Sequence, residues 1–205
     1  MFFLSQLSFA QTEKQNYELY NLILSEQLNF GTDSKKDTII LIEQFHNKLD
    51  RNFQIFDTSA DTLTKLDQNF ILINTYRDTT FYKRLMSNPN LKKELSSLTS
   101  DFQNPPKLDA QFFHNKNIHI KTISSNKYHS YFGKGSKNKT AWKKIRKKYG
   151  TTNVVAFSNI NYQGDFAAAY YELNCGGLCG AGNIVIFEKI GGKWKIMTEY
   201  NLWMS

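Results

Sequence analysis

The sequence predicts an α+β fold, and three observations carry that expectation. The last third of the chain holds four strand-like runs in succession, joined by short turns. The earlier part places apolar residues at helical spacing, as with Tyr17, Tyr20, Leu24 and Leu28. No internal repeat or low-complexity run breaks either pattern. The architecture expected is a C-terminal four-stranded antiparallel meander with helices packed on one face, plus an N-terminal helix and hairpin.

Taken in order, Gln11 to Asn29 reads as a helix, its stripe widened by Leu19, Leu22 and Ile23 and ended by Phe30-Gly31-Thr32-Asp33. Thr38 to Ile42 is a continuous β-rich run, the pattern of a strand covered on both sides. Phe53 to Phe56 is the candidate partner for a hairpin, with Asn47 to Asn52 as the turn. Asp61 to Arg77 has helical spacing at Leu63, Leu66, Phe70 and Ile73. Asn88-Pro89 is a helix start, Asn capping and Pro at the first helical position, with Leu91, Leu95, Leu98 and Phe102 as its apolar stripe. Pro105-Pro106 stops it, and Asn117 to Ile123 alternates as a short strand. Ser124 to Ser136 is polar with Tyr128, Tyr131 and Phe132 as anchors, and Thr140 to Tyr149 is a short helix packing through Trp142, Ile145 and Tyr149. The four strands expected after it are Thr152–Phe157, Asp165–Leu173, Asn183–Ile190 and Lys193–Met204. In the last of these, Trp194, Ile196, Tyr200, Leu202 and Met204 fall on one face and Lys195, Glu199 and Asn201 on the other.

At 205 residues, 40% hydrophobic and 15% aromatic, the chain can bury a core, and the aromatic content argues against disorder. No run approaches the roughly 18 apolar residues that span a bilayer. Residues 1–10, MFFLSQLSFA, are uncharged and end in the small residues a signal peptidase reads, so an export signal shortened at its start is expected. Residues 11–205 then form a single domain, periplasmic or secreted. The competing reading is an apolar first turn of the following helix, which leaves the protein cytoplasmic. The net charge of +8 is local: eight basic and no acidic residues lie between Lys134 and Lys148, and the rest of the chain is close to neutral. The candidate basic face is Lys139, Lys143, Lys144, Arg146, Lys147 and Lys148.

Both cysteines fall in one glycine-rich turn, Asn174-Cys175-Gly176-Gly177-Leu178-Cys179-Gly180-Ala181-Gly182. Glycines supply the positive-φ conformations of a tight reversal, so the six glycines from Gly176 to Gly192 are expected to bend a β ribbon. Cys175 and Cys179 lie close enough across such a turn for a disulfide, favoured by an even cysteine count in an exported chain. A redox pair and two buried free thiols are the alternatives, although C-x₃-C is not the thioredoxin-type spacing. Gly176, Gly177, Leu178, Gly180 and Gly182 form the candidate binding turn.

Trp142…Lys148-Tyr149, Val155-Ala156-Phe157-Ser158, the Cys175–Gly182 turn, Gly192-Lys193-Trp194-Lys195-Ile196 and Leu202-Trp203-Met204-Ser205 resemble a family of uncharacterised exported bacterial proteins. Its marks are a paired-Cys glycine turn, then G-x-W-K, then a terminal L-W-x-S. The match covers roughly residues 140–205. The resemblance implies a small exported domain and brings no activity with it.

No catalytic set stands out. His46, His114, His119 and His129 are scattered rather than at ligand spacing, so no metal and no cofactor are expected. The glycine turn lacks the Lys-Ser/Thr of a phosphate loop and leads into a strand. The leading expectation is a non-enzymatic binding domain whose partner is another protein or an anionic polymer. The alternatives are a hydrolase or thiol enzyme using Cys175 or Cys179, which needs a base within reach, and polyanion binding through Lys134–Lys148.

Overall fold

The computed structural model describes residues 13–27, 37–45, 79–99, 102, 103, 105, 107–133 and 135–205. The expected export signal at residues 1–10, the expected strand at 53–56 and the expected helix at 61–77 lie outside them. At the centre is a six-stranded mixed sheet of β1 (Asp37–Ile42), β2 (Ile118–Ile123), β3 (Val154–Gln163), β4 (Phe166–Gly176), β5 (Cys179–Ile190) and β6 (Lys193–Met204). Their spatial order is β2-β1-β3-β4-β5-β6. β3 to β6 form the expected antiparallel meander. β1 runs parallel to both β2 and β3, so its ladder partners among the described residues are two crossover strands and not a hairpin neighbour.

Helices cover both faces of this sheet, where packing on one face is the sequence expectation. On one face lie α2 (Thr79–Ser87), α3 (Pro89–Thr99), α4 (Ser125–Ser130) and α5 (Asn138–Tyr149). Phe81, Leu85, Leu91, Leu95, Leu98, Trp142, Ile145 and Tyr149 bury there against Ile40, Ile42, Val154, Ala156, Ala168, Tyr170, Ile184, Ile186 and Tyr200. The other face is covered by α1, helical over residues 13–22 and continuing as a π turn over Ile23–Gln27. Tyr17, Leu19, Tyr20, Ile23 and Leu24 pack there, with Leu108 and Phe113, on Ile39, Leu41, Val155, Phe157, Ala167, Ala169, Tyr171, Val185 and Phe187. The reason is in the strands themselves. β1, β4 and β5 contain unbroken apolar runs, which put hydrophobic side chains on both faces and demand cover for each.

Two bulges decide where β6 points. Ile186 pairs Thr198 while Phe187 pairs Ile196, so Met197 is extra and the side-chain alternation flips. Trp194 and Ile196 therefore pack beneath α1, while Tyr200 and Leu202 belong to the opposite core. The single-faced assignment of these residues is thus corrected. A second bulge, Gly182 to Trp203 followed by Asn183 to Asn201, flips the alternation again and returns Trp203 to the α5 side.

α5 ends at Gly150, whose φ of 78° gives the left-handed cap, and Lys121 Nζ donates to the Tyr149 carbonyl at 2.7 Å. In β3 the ladder register shifts between Phe157 and Ile160, and the buried Ser158 there bonds across the core: Tyr20 Oη donates to its carbonyl at 2.7 Å, and the Tyr170 amide donates to its Oγ at 2.9 Å.

Candidate functional site

The organising turn closes β4 onto β5. Cys175 and Cys179 are joined in a disulfide across it, with Cα atoms 5.1 Å apart. Neither sulfur is free. Thr152 Oγ1 donates to the Cys175 carbonyl at 2.9 Å, tying the staple to the start of β3. The turn also lies against α5: a Cβ built on Gly177 would stand 4.0 Å from side-chain atoms of both Asn138 and Trp142. Leu178, at the tip, is 91% exposed.

The glycines of this stretch do two different jobs, and only one of them is bending. Gly176, at φ 145°, belongs to the reversal, as do Gly191 and Gly192 at the next hairpin. Gly180 and Gly182 instead lie within β5, facing Trp203 and Ser205 of the end of β6. A Cβ on Gly182 would overlap Trp203 Nε1 and Tyr170 Oη and stand 2.5 Å from Trp203 Cε2. A Cβ on Gly180 would stand 2.9 Å from Ser205 Oγ, 3.1 Å from Asn174 Oδ1 and 3.2 Å from Trp203 Cζ3. The indole of Trp203 thus lies over a strip of bare backbone, which is the close-approach use of a strand glycine. Backbone bonds between Ser205 and Gly180 in both directions, 2.9 and 3.3 Å, hold the chain end beside it.

Beneath the indole is a polar relay. Trp203 Nε1 donates to Tyr170 Oη at 2.9 Å, and Tyr170 Oη donates to Glu172 Oε1 at 2.9 Å. Burial first, and the Glu172 charge second, push the Tyr170 phenol well above its ordinary range. Burial and the same carboxylate push up Tyr128. Both phenols therefore stay protonated at neutral pH, with no phenolate available as a base, and Tyr170 serves as a hydrogen-bond donor. On the opposite face Tyr171 Oη donates to Glu199 Oε1 at 2.6 Å, and burial raises the Glu199 carboxyl above the usual carboxylate range. The chemistry of these sets is structural: each gives a tyrosine hydroxyl a carboxylate acceptor.

α5 carries the charge. Ala141, Trp142, Ile145 and Tyr149 are its buried side, while Lys139, Lys143, Lys144, Arg146, Lys147 and Lys148 are all exposed. Among the described residues none of the six has a carboxylate partner. Arg146, Lys147 and Lys148 sit in the last turn, where cations suit the helix dipole. Lys139 sits in the first turn, where they do not, and the Lys137 cap makes no side-chain bond to the helix. Lys139–Lys143, Lys143–Lys147 and Lys144–Lys148 are four apart; Lys143–Arg146 and Lys144–Lys147 are three apart. At about 0.2–0.5 kcal/mol for each like-charge pair, the face destabilises the free helix by roughly 1–2 kcal/mol at low salt. Burial of Trp142, Ile145 and Tyr149, at roughly 1.5–3 kcal/mol each, offsets that easily.

The structure therefore brings the expected binding turn and the expected basic helix together, through Gly177 and the Asn138–Trp142 side of α5. It does not bring histidines to the cysteines as a metal set: among the described residues no group of three or more His, Cys, Asp or Glu could hold a metal ion. His114, His119 and His129 are exposed, and His46 lies outside the described residues. Sequence reasoning missed Tyr170, Glu172 and the seating of Trp203. The signal that could have found them was Gly180-Ala181-Gly182, small residues alternating inside a strand with a tryptophan two strand-lengths later. Fold and site together define an α+β fold with a disulfide-stapled hairpin whose turn lies near the Asn138–Trp142 side of a cationic helix. Compared with protein-family models, with curated proteins and with solved structures, the chain matches none of them.

Proposed function

We propose that this chain is a non-enzymatic binding domain, exported from a bacterial cell, whose contact surface is the end of the sheet where the stapled turn meets α5. It groups with the exported proteins that share the C-G-G-L-C-G-x-G, G-x-W-K and terminal L-W-x-S pattern. One observation carries the reading: six exposed cations on α5 have no carboxylate partner among the described residues. A helix packed only for stability gains nothing from like charges at three- and four-residue spacing. An anionic partner removes that repulsion. The disulfide supports the export reading, since such bonds persist in oxidising compartments. It also leaves no thiolate to serve as a nucleophile while it is closed.

The test is retention of the purified protein on an immobilised polyanion at low salt, compared with a Lys143→Glu, Lys147→Glu double variant. The expected result is strong retention that falls steeply with added salt and is lost in the variant. Equal elution of the two proteins sinks the reading.

A further inference from the structure

We propose that the partner of this surface is an anionic lipid bilayer, met by Leu178 entering the interface while α5 lies against the headgroups. The inference rests on the binding reading above and names what is bound. Three observations favour a bilayer over a dissolved polyanion. First, the aromatic side chains of α5 are not available: Trp142 and Tyr149 are each 8% exposed, so the cationic face offers no platform for stacking bases. Second, the apolar groups exposed at this end are aliphatic. Leu178 is 91% exposed at the tip of the turn, and Met204, 71% exposed, ends the adjoining strand opposite Ala181. Third, the tip is held in place. The Cys175–Cys179 bond closes the turn, and the turn passes close to α5, where a Cβ on Gly177 would stand 4.0 Å from side-chain atoms of Asn138 and Trp142. Lys139 and Lys143 each follow by one residue the two helix positions nearest that turn, which puts cations on the flank of the tip.

A fixed aliphatic tip flanked by cations matches the two forces a bilayer surface supplies. Anionic headgroups attract each nearby lysine, and the acyl boundary takes the leucine. A soluble polymer supplies only the first.

The experiment is sedimentation of the purified protein with vesicles of phosphatidylglycerol, with vesicles of phosphatidylcholine, and with soluble polyphosphate as competitor. Binding to phosphatidylglycerol and little to phosphatidylcholine is expected, weakening as salt rises. Leu178→Ala should weaken partitioning roughly tenfold or more, from the apolar atoms withdrawn from the interface. Lys143→Glu with Lys147→Glu should weaken it on the order of a hundredfold. Far-UV circular dichroism confirms that both variants keep the fold. If polyanion retention is strong but Leu178→Ala leaves vesicle binding unaltered, or vesicles do not bind at all, the lipid proposal is overturned while the electrostatic reading survives. If neither vesicles nor polyanion hold the protein, both fall.

Discussion

Replacing Gly182 with alanine tests the seat beneath Trp203 most directly. The added Cβ overlaps Trp203 Nε1 and Tyr170 Oη, so the indole must lift from β5. Lifting it breaks the 2.9 Å bond to Tyr170 Oη, a loss of about 1 kcal/mol. Overpacking of the site adds roughly 1–3 kcal/mol. The sum, roughly 2–4 kcal/mol, corresponds to a fall in melting temperature of about 5–15 °C for a domain of this size. Urea unfolding followed by tryptophan fluorescence measures it, and a double-mutant cycle locates the cause. In a Trp203→Ala background the indole is already gone, so Gly182→Ala should cost well under its value in the parent, leaving only the contact with Tyr170. Should the two backgrounds give the same loss, the glycine matters for its backbone and not for the tryptophan. A loss under about 0.5 kcal/mol in the parent, the size of an ordinary surface substitution, would remove the seat altogether.

Three further outcomes are expected. Protein taken from an oxidising compartment and denatured without reductant should show no titratable thiol, and Cys175→Ser with Cys179→Ser should cost about 2 kcal/mol for so small a ring; full thiol reactivity with unchanged stability would contradict the staple. Arg84 grips Glu188 through both terminal guanidinium nitrogens, Nη1 to Oε2 at 2.6 Å and Nη2 to Oε1, and that hydrogen bonding holds the Glu188 carboxyl below the usual carboxylate range. A depressed carboxyl gives stability that is present above its unfolded pKa and lost as pH falls through the folded one. The gap between the parent and Glu188→Gln in urea melts should thus be seen at neutral pH and close in acid, remaining small because Arg84 is 43% exposed. Glu199 is the opposite case: burial raises its carboxyl, so its charge opposes folding at neutral pH, and that penalty shrinks as pH falls through the folded pKa and is gone below the unfolded one. Glu199→Gln, which keeps an acceptor for Tyr171, should stabilise the protein at pH 7 and make no difference in acid; destabilisation at pH 7 would refute this.

The order of the four C-terminal strands, the buried stripes of α3 and α5 and the position of the staple follow from local chemistry, which is why they were legible in the chain. Alternation, helical spacing, an Asn-Pro start and a glycine turn each act over a few residues. Among the described side chains of Thr79 to Ser87, Phe81 and Leu85 mark the buried side, and nine residues between polar neighbours give too short a window to read as a helix. The cover on the second face was half legible: the continuous run at Ile39 to Ile42 called for it, yet nothing local says that α1 supplies it.

What the sequence by itself determined, then, is the set of elements, the cysteine pair and the cationic side of α5, because each is written in residues that are near neighbours. What only the tertiary structure decided is pairing between distant segments. β1 finds parallel partners some eighty and more residues further along, one-residue bulges turn Trp194 and Tyr200 to opposite faces, and Gly182 meets Trp203 across the sheet. Such choices follow from strand register and from the competition of whole faces for burial, and a single added residue reverses them.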